Sequence, residues 1–283
     1  MKFKTLLAVF TAALLLAACG GKGTKKSISI AYVNWSEGIA ITHLTKVILE
    51  DQGYDVKLMN ADLAPVMASL SRKKADLFMD TWLPVTMKDY MDQYGDKLEK
   101  LGTVYDEARI GLVVPDYVTA NSIDELNKYK AKFDKKIVGI DAGAGIMRAT
   151  AKAIKEYNLD FELQTSSGPA MTASLKKAID KKEWIVITGW TPHWMFNRFA
   201  LKILKDPKGI YGQAEDIQAI AWKGFSDKYP EVAKIVKKIR LSNEDISSLM
   251  ADIENSKTNE EDAVKGWIKQ HQSLVDSWTK IEK

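Results

Sequence analysis

The sequence predicts an α/β protein built from two similar lobes joined by two crossing strands. Three observations point there. A strand–helix–strand–helix–strand unit occurs twice along the chain. The two copies keep almost constant spacing, with Gly38 and Gly145 separated by 107 residues and Trp82 and Trp190 by 108. The glycines and tryptophans that mark the repeat fall where the strands end. Solenoid repeats have periods of about 20–50 residues, so a unit this long is a lobe rather than a stacked module. Alternating strands and helices form a parallel sheet with crossover helices, so each copy accounts for one lobe.

The chain opens with Lys2 and Lys4, followed by an apolar run from Leu6 to Leu16 broken only by Thr11, and then Leu16-Ala17-Ala18-Cys19. This layout is that of a secretory signal peptide over residues 1–18. The run is shorter than the roughly 20 apolar residues that a spanning helix needs. Cys19 is the only cysteine, so no disulfide can form within the chain. Residues 19–26, with Gly20, Gly21 and Gly23 among lysines, read as a flexible tether.

The first copy starts with the β-branched strand Ile28–Val33, turns at Gly38-Ile39, and continues into a helix with Ile41, Leu44, Val47 and Ile48 on one face. A turn at Gln52-Gly53-Tyr54 leads to strand Val56–Met59, a helix around Met67–Leu70, and a third strand ending in Trp82-Leu83-Pro84. In the second copy the corresponding segments are Lys136–Ile140, Gly145-Ile146, the helix with Ala149, Ala153 and Ile154, strand Phe161–Gln164, the helix around Thr172–Leu175, and Trp190-Thr191-Pro192. The apolar runs Ile110–Pro115 and Ile217–Trp222 are expected to cross between lobes, where closure would occur. Asn243–Lys283 is helical in pattern and is expected to pack back on the first lobe. The expected organisation is lobe I over residues 27–111 and 217–283, and lobe II over 112–216.

Composition narrows the function. The formal charge is +4, and loss of residues 1–18 with Lys2 and Lys4 leaves +2. The charges are interspersed, with no basic stripe to suggest nucleic acid. His43, His193 and His271 lack metal-ligand spacing, so no metal site is expected, and with Cys19 read as lipidated no cysteine nucleophile remains; no enzyme and no cofactor are expected. A monomer is expected.

Eight tryptophans are many for 283 residues. Trp184, Trp267 and Trp278 suit core or surface packing, as do Trp222 beside the second crossing and Trp194 on the helix after Trp190. Trp35, Trp82 and Trp190 differ because each is expected just past the end of a strand, where open α/β sheets bind ligands. Three indole faces from two lobes form a cage for a diffuse cation, which ring quadrupoles attract. Large hydrophobes lining an interlobe interface are the plainer alternative. Gly143-Ala144-Gly145-Ile146 opens a helix whose first N–H groups are free and whose dipole welcomes an anion. An ordinary tight turn is the alternative there. The same Gly-x-Gly begins a dinucleotide fingerprint, which makes a dinucleotide-binding oxidoreductase the remote alternative, but Arg148 occupies the third glycine position, and the first copy lacks the first glycine. His193, close to Trp190, suits an orienting or packing role.

The segments Ala31–Trp35, Thr81–Pro84, Gly111–Pro115, Gly143–Met147 and Thr188–Trp194 together resemble the substrate-binding lipoproteins of glycine betaine ABC importers. The resemblance runs over the whole mature chain from about Ser27. It implies a two-lobed periplasmic-binding-protein-like fold of type II. It further implies a trimethylammonium cage of Trp35, Trp82 and Trp190, carboxylate-binding amides at Gly145 and Ile146, and a permease and its ATPase as partners. Leu16–Cys19 resembles a bacterial lipobox, which implies a lipid on Cys19 holding the protein at a membrane surface. One position departs from the family. Members often carry a histidine shortly after Trp-Leu-Pro, where this chain has Met87, a side chain with no donor. Choline, carnitine and proline betaine therefore stay open as ligands, as does a solute-sensing role.

Overall fold

The computed structural model describes residues 26–280; the expected leader, Cys19 and nearly all of the tether lie outside the described residues. The first copy of the repeat forms β1 (Ser27–Tyr32), α1 (Ser36–Asp51), β2 (Asp55–Asn60), α2 (Leu63–Ser71) and β3 (Leu77–Leu83). β1 pairs in parallel with both β2 and β3. After α3 (Lys88–Tyr94) comes the long strand β4 (Leu98–Pro115) and a 3-10 stretch, Ile123–Phe133. The second copy forms β5 (Lys136–Val138), α4 (Gly145–Glu156), β6 (Glu162–Gln164), α5 (Gly168–Lys181) and β7 (Ile187–Thr191). β5 again pairs in parallel with β6 and β7. A short helix α6 (Met195–Arg198), β8 (Leu201–Ile203) and β9 (Glu215–Trp222) follow.

Strand order runs β2-β1-β3-β9-β4-β7-β5-β6. The order is symmetric about the β9–β4 pair, so the repeat in the sequence is a repeat in topology. β4 unites the halves. Its residues Leu98–Ala108 pair antiparallel with β9, and Arg109–Pro115 pair antiparallel with β7 and β8. The two half-sheets are thereby one hydrogen-bonded path through a shared strand.

The return connection differs in detail from the expected second crossing strand. β9, which contains Ile217–Trp222, pairs only with β3 and the first part of β4. The chain returns instead through residues 204–214: Leu204 N–H donates to Leu112 O and Tyr211 Oη to Thr150 Oγ1 in the second half, and Glu215 then pairs opposite Ala108. A strand buried on both faces carries the same apolar run whether it crosses or stays within one sheet.

The C-terminal region adds α7 (Phe225–Lys228), α8 (Pro230–Lys238), α9 (Asn243–Glu254), α10 (Glu260–Gln270) and α11 (Gln272–Thr279). α9 and α10 pack on α1, which explains why α1 is buried well beyond one face, through Thr42, His43 and Thr45. A capping box between Ser242 and Asp245 starts α9. Trp267 is fully buried and donates to Ser248 Oγ at 2.8 Å. Among the described residues no helix is long and apolar enough to cross a membrane.

Candidate functional site

In each half the central strand lies between its two parallel neighbours, and chain winding reverses beside it. Crevices in open α/β sheets form at the carboxyl ends of strands at such reversals. Trp35 follows β1 and caps α1, while Trp82 lies near the end of β3. Across from them, Ala144 and Gly145 open α4 after β5, and Trp190 is the penultimate residue of β7. Trp82 and Trp190 lie inside their strands rather than beyond them. The antiparallel neighbours β9 and β4 extend those strands past the last parallel pairing.

The two switch points face one narrow cavity, whose lining includes Trp35, Trp82, Trp190, Gly145 and Ile146, together with Glu37 and Thr86. The three indoles are 5%, 3% and 3% exposed, respectively. Each ring N–H donates to a carboxylate: Trp35 Nε1 to Asp141 Oδ2 at 3.1 Å, Trp82 Nε1 to Asp80 Oδ1 at 2.9 Å, and Trp190 Nε1 to Glu37 Oε2 at 2.7 Å. With the N–H groups committed, what remains for a ligand is the π face and carbon edge of each ring. The Trp35 and Trp190 bonds join one half of the molecule to the other.

Local chemistry fixes the opposite wall. Ala144 caps α4 without a side-chain acceptor, and first-turn N–H groups have no acceptor within their helix. Glycine is required at 145, because a Cβ there would stand 2.0 Å from the carbonyl oxygen of Thr86. Arg148 ties the same junction, donating from Nη2 to Thr86 O at 3.0 Å and pairing through Nε with Asp89 at 3.0 Å. Tyr90 Oη donates to Gly143 O at 3.2 Å. The loop carrying Thr86 is itself held by buried Glu215, which accepts from Val85 N–H at 2.6 Å, Thr86 N–H at 2.8 Å and the Thr86 hydroxyl.

Two carboxylates in this region have displaced acidities. Burial pushes Glu37 up to about 7, against the pull of the Trp190 N–H and its own backbone N–H. Burial also raises Asp80 well above the usual carboxylate range; the charge of Glu37 adds to this and the Trp82 N–H opposes it. His193 is pushed down to about 3 by burial and is neutral. Its Nδ1 accepts the Met195 N–H at 3.1 Å, and its ring meets Trp190 edge-on. Met87 is fully buried and does not line the cavity; Thr86 does. Among the other tryptophans, Trp222 donates to Asp76 Oδ1 at 3.0 Å, and Trp184 packs on Tyr129 and Phe133.

Sequence reasoning missed the acids. Asp80 was legible as a lone carboxylate within the apolar run Leu77–Trp82. A bulge re-aims this part of β3: Phe78 pairs with Ile220 but Thr81 with Gln218, leaving one extra residue on β3. Glu37 offered only its place beside the repeat glycine Gly38, and Asp141 offered no signal.

An indole-lined cavity at the paired switch points of two like α/β halves defines a two-lobed solute-binding protein of the type II periplasmic-binding fold. Residues 26–270 match the OpuAC family model, described as the substrate binding domain of ABC-type glycine betaine transport system, and the chain belongs to that family. The family serves solute transport. Over 146 residues the chain is 49% identical to the glycine betaine/carnitine transport binding protein GbuC of Listeria monocytogenes, a match spanning 50% of this chain and 48% of that protein. Lactococcal OpuAC, solved in its closed form with glycine betaine, is 39% identical with a TM-score of 0.86, covering 90% of this chain and 100% of that one. The glycine/betaine/L-proline-binding protein ProX of Borrelia burgdorferi is 32% identical with a TM-score of 0.86, covering 90% and 97% respectively.

Proposed function

We propose that this chain captures glycine betaine, or a closely related trimethylammonium zwitterion, outside the cytoplasmic membrane and delivers it to an ABC permease and its ATPase. The observation that carries this reading is the pairing, in one cavity, of three indoles with committed N–H groups and a helix N-terminus without a side-chain cap. A trimethylammonium group donates no strong hydrogen bond and is held by ring faces, each worth roughly 0.5–2 kcal/mol. The carboxylate meets the amides of Gly145 and Ile146 at the positive end of α4. GbuC and lactococcal OpuAC, both named for or complexed with glycine betaine, support the ligand class.

In this reading residues 27–111 with 217–283, and residues 112–216, are lobes that close on the solute. They turn about β4 near Ala108–Arg109, where its pairing passes from β9 to β7. Cys19 carries the lipid that keeps the monomer at the membrane. Calorimetric titration of the mature chain with glycine betaine, choline, carnitine, proline betaine and proline tests the proposal. Tightest binding of a trimethylammonium carboxylate is expected. Tightest binding of choline moves the assignment to a ligand held by the cage alone, and binding of none overturns it.

A further inference from the structure

We propose that Glu37 and Asp80 are the positioning and charge-selecting residues of this cavity: two buried carboxylates that hold Trp190 and Trp82 by their ring N–H groups and supply negative charge when a cationic solute arrives to balance it. The inference rests on the reading that the cavity takes a quaternary ammonium group.

Both side chains are sealed from solvent, at 1% and 0% exposure. Glu37 lines the cavity itself, whereas Asp80 does not and reaches it through the Trp82 ring N–H. The groups acting on Glu37 are the Trp190 N–H and its own backbone N–H. Those acting on Asp80 are the Trp82 N–H and the neighbouring Glu37. Among the described residues no lysine, arginine or histidine compensates either one. Asp80 Oδ2 has no hydrogen-bond partner among the described residues. It sits where a Cβ on Gly38 would be only 2.6 Å away, so the glycine in the first turn of α1 makes room for the carboxylate.

Burying a charge without a counter-ion is expensive, and proteins ordinarily pair it or replace it. An amide or backbone carbonyl would also accept an indole N–H, at far lower desolvation cost. Two acids in these positions make physical sense where a cation arrives from outside to complete the pairing. Each also strengthens the cage, because a ring whose N–H donates to a carboxylate has a more electron-rich face, and a charge-assisted bond fixes its plane. Burial without a neighbouring positive charge weakens both acids, and a cation beside them would restore their ionisation.

The test compares glycine betaine with 3,3-dimethylbutanoate, which has the same shape with carbon in place of the quaternary nitrogen. Calorimetry is done on the wild type and on Glu37→Gln and Asp80→Asn, which keep an acceptor for the ring N–H. The wild type is expected to prefer betaine strongly. Each variant should lose about tenfold or more in betaine affinity while holding the isostere as well as before or better, because only the charge is removed. Equal losses for both ligands would make these acids structural props and overturn the inference, as would unchanged betaine binding. Should a variant fail to fold, the wild type alone decides: discrimination below about twofold between the two ligands overturns charge selection. A wild type that binds no quaternary ammonium compound is a separate outcome, which defeats the proposed function instead.

Discussion

Substituting Gly145 by alanine probes how tightly the two halves must meet. The new Cβ would lie 2.0 Å from Thr86 O and 2.6 Å from Thr86 Cγ2, whereas ordinary contact begins at 3.4 Å. The junction must therefore open locally by about 1.4 Å, the difference between those two contact distances. Thr86 cannot simply retreat, because Glu215 holds its N–H and hydroxyl. The Arg148 bond to Thr86 O, 3.0 Å long, would be stretched beyond hydrogen-bonding range. Loss of one hydrogen bond from a charged donor is worth about 1.5–3 kcal/mol, which converts to roughly a 10- to 150-fold weaker affinity for glycine betaine. The melting temperature of the ligand-free protein should change little, since the proposed opening of the lobes would separate Gly145 from Thr86. Calorimetry and a thermal melt on the same preparation check both halves of this statement. Betaine affinity within twofold of wild type would refute the close approach of Gly145 to Thr86 as a condition for binding.

Alanine in place of Trp35, Trp82 or Trp190 should each cost about 1–3 kcal/mol of binding, and tyrosine less because it keeps a ring face, as read by calorimetry. Glu37 titrates near 7 in the folded chain, above its ordinary value of 4.5. Between those values the folded protein keeps a proton that the unfolded chain has lost, so this group's effect on stability declines as pH rises through that window. Thermal melts from about pH 5 to 8 should show the decline in wild type and its flattening in Glu37→Gln. Betaine binding should release protons near neutral pH, measurable by calorimetry in two buffers of different ionisation enthalpy. Met87→His would place a donor where family members often carry a histidine, which by that resemblance favours carboxylated ligands. With Met87 fully buried and away from the cavity lining, the substitution should instead lower the melting temperature by placing a polar ring in an apolar site, with the ligand ranking unchanged. Mass spectrometry of Cys19→Ser should show no lipidated, processed form, and a lipidated product would dismiss the anchor.

Much of this protein was legible before folding was considered. The repeated order of strand, helix and turn specified two parallel half-sheets, because apolar periodicity and glycine placement are local properties of the chain. The strand-end tryptophans and the Gly145-Ile146 turn drew attention for the same reason: strand ends can be located from sequence, and strand ends are where open sheets bind. Tertiary structure alone decided the rest. β4 and β9 are both apolar runs, yet only β4 spans the halves; hydrogen-bond partners decide that, and an apolar run does not announce them. The acids that complete the site were equally hidden. Glu37 meets Trp190 across 153 positions of chain and Asp141 meets Trp35 across 106. Contacts at such separations exist only once two independently patterned halves are brought face to face, and no local spacing encodes them.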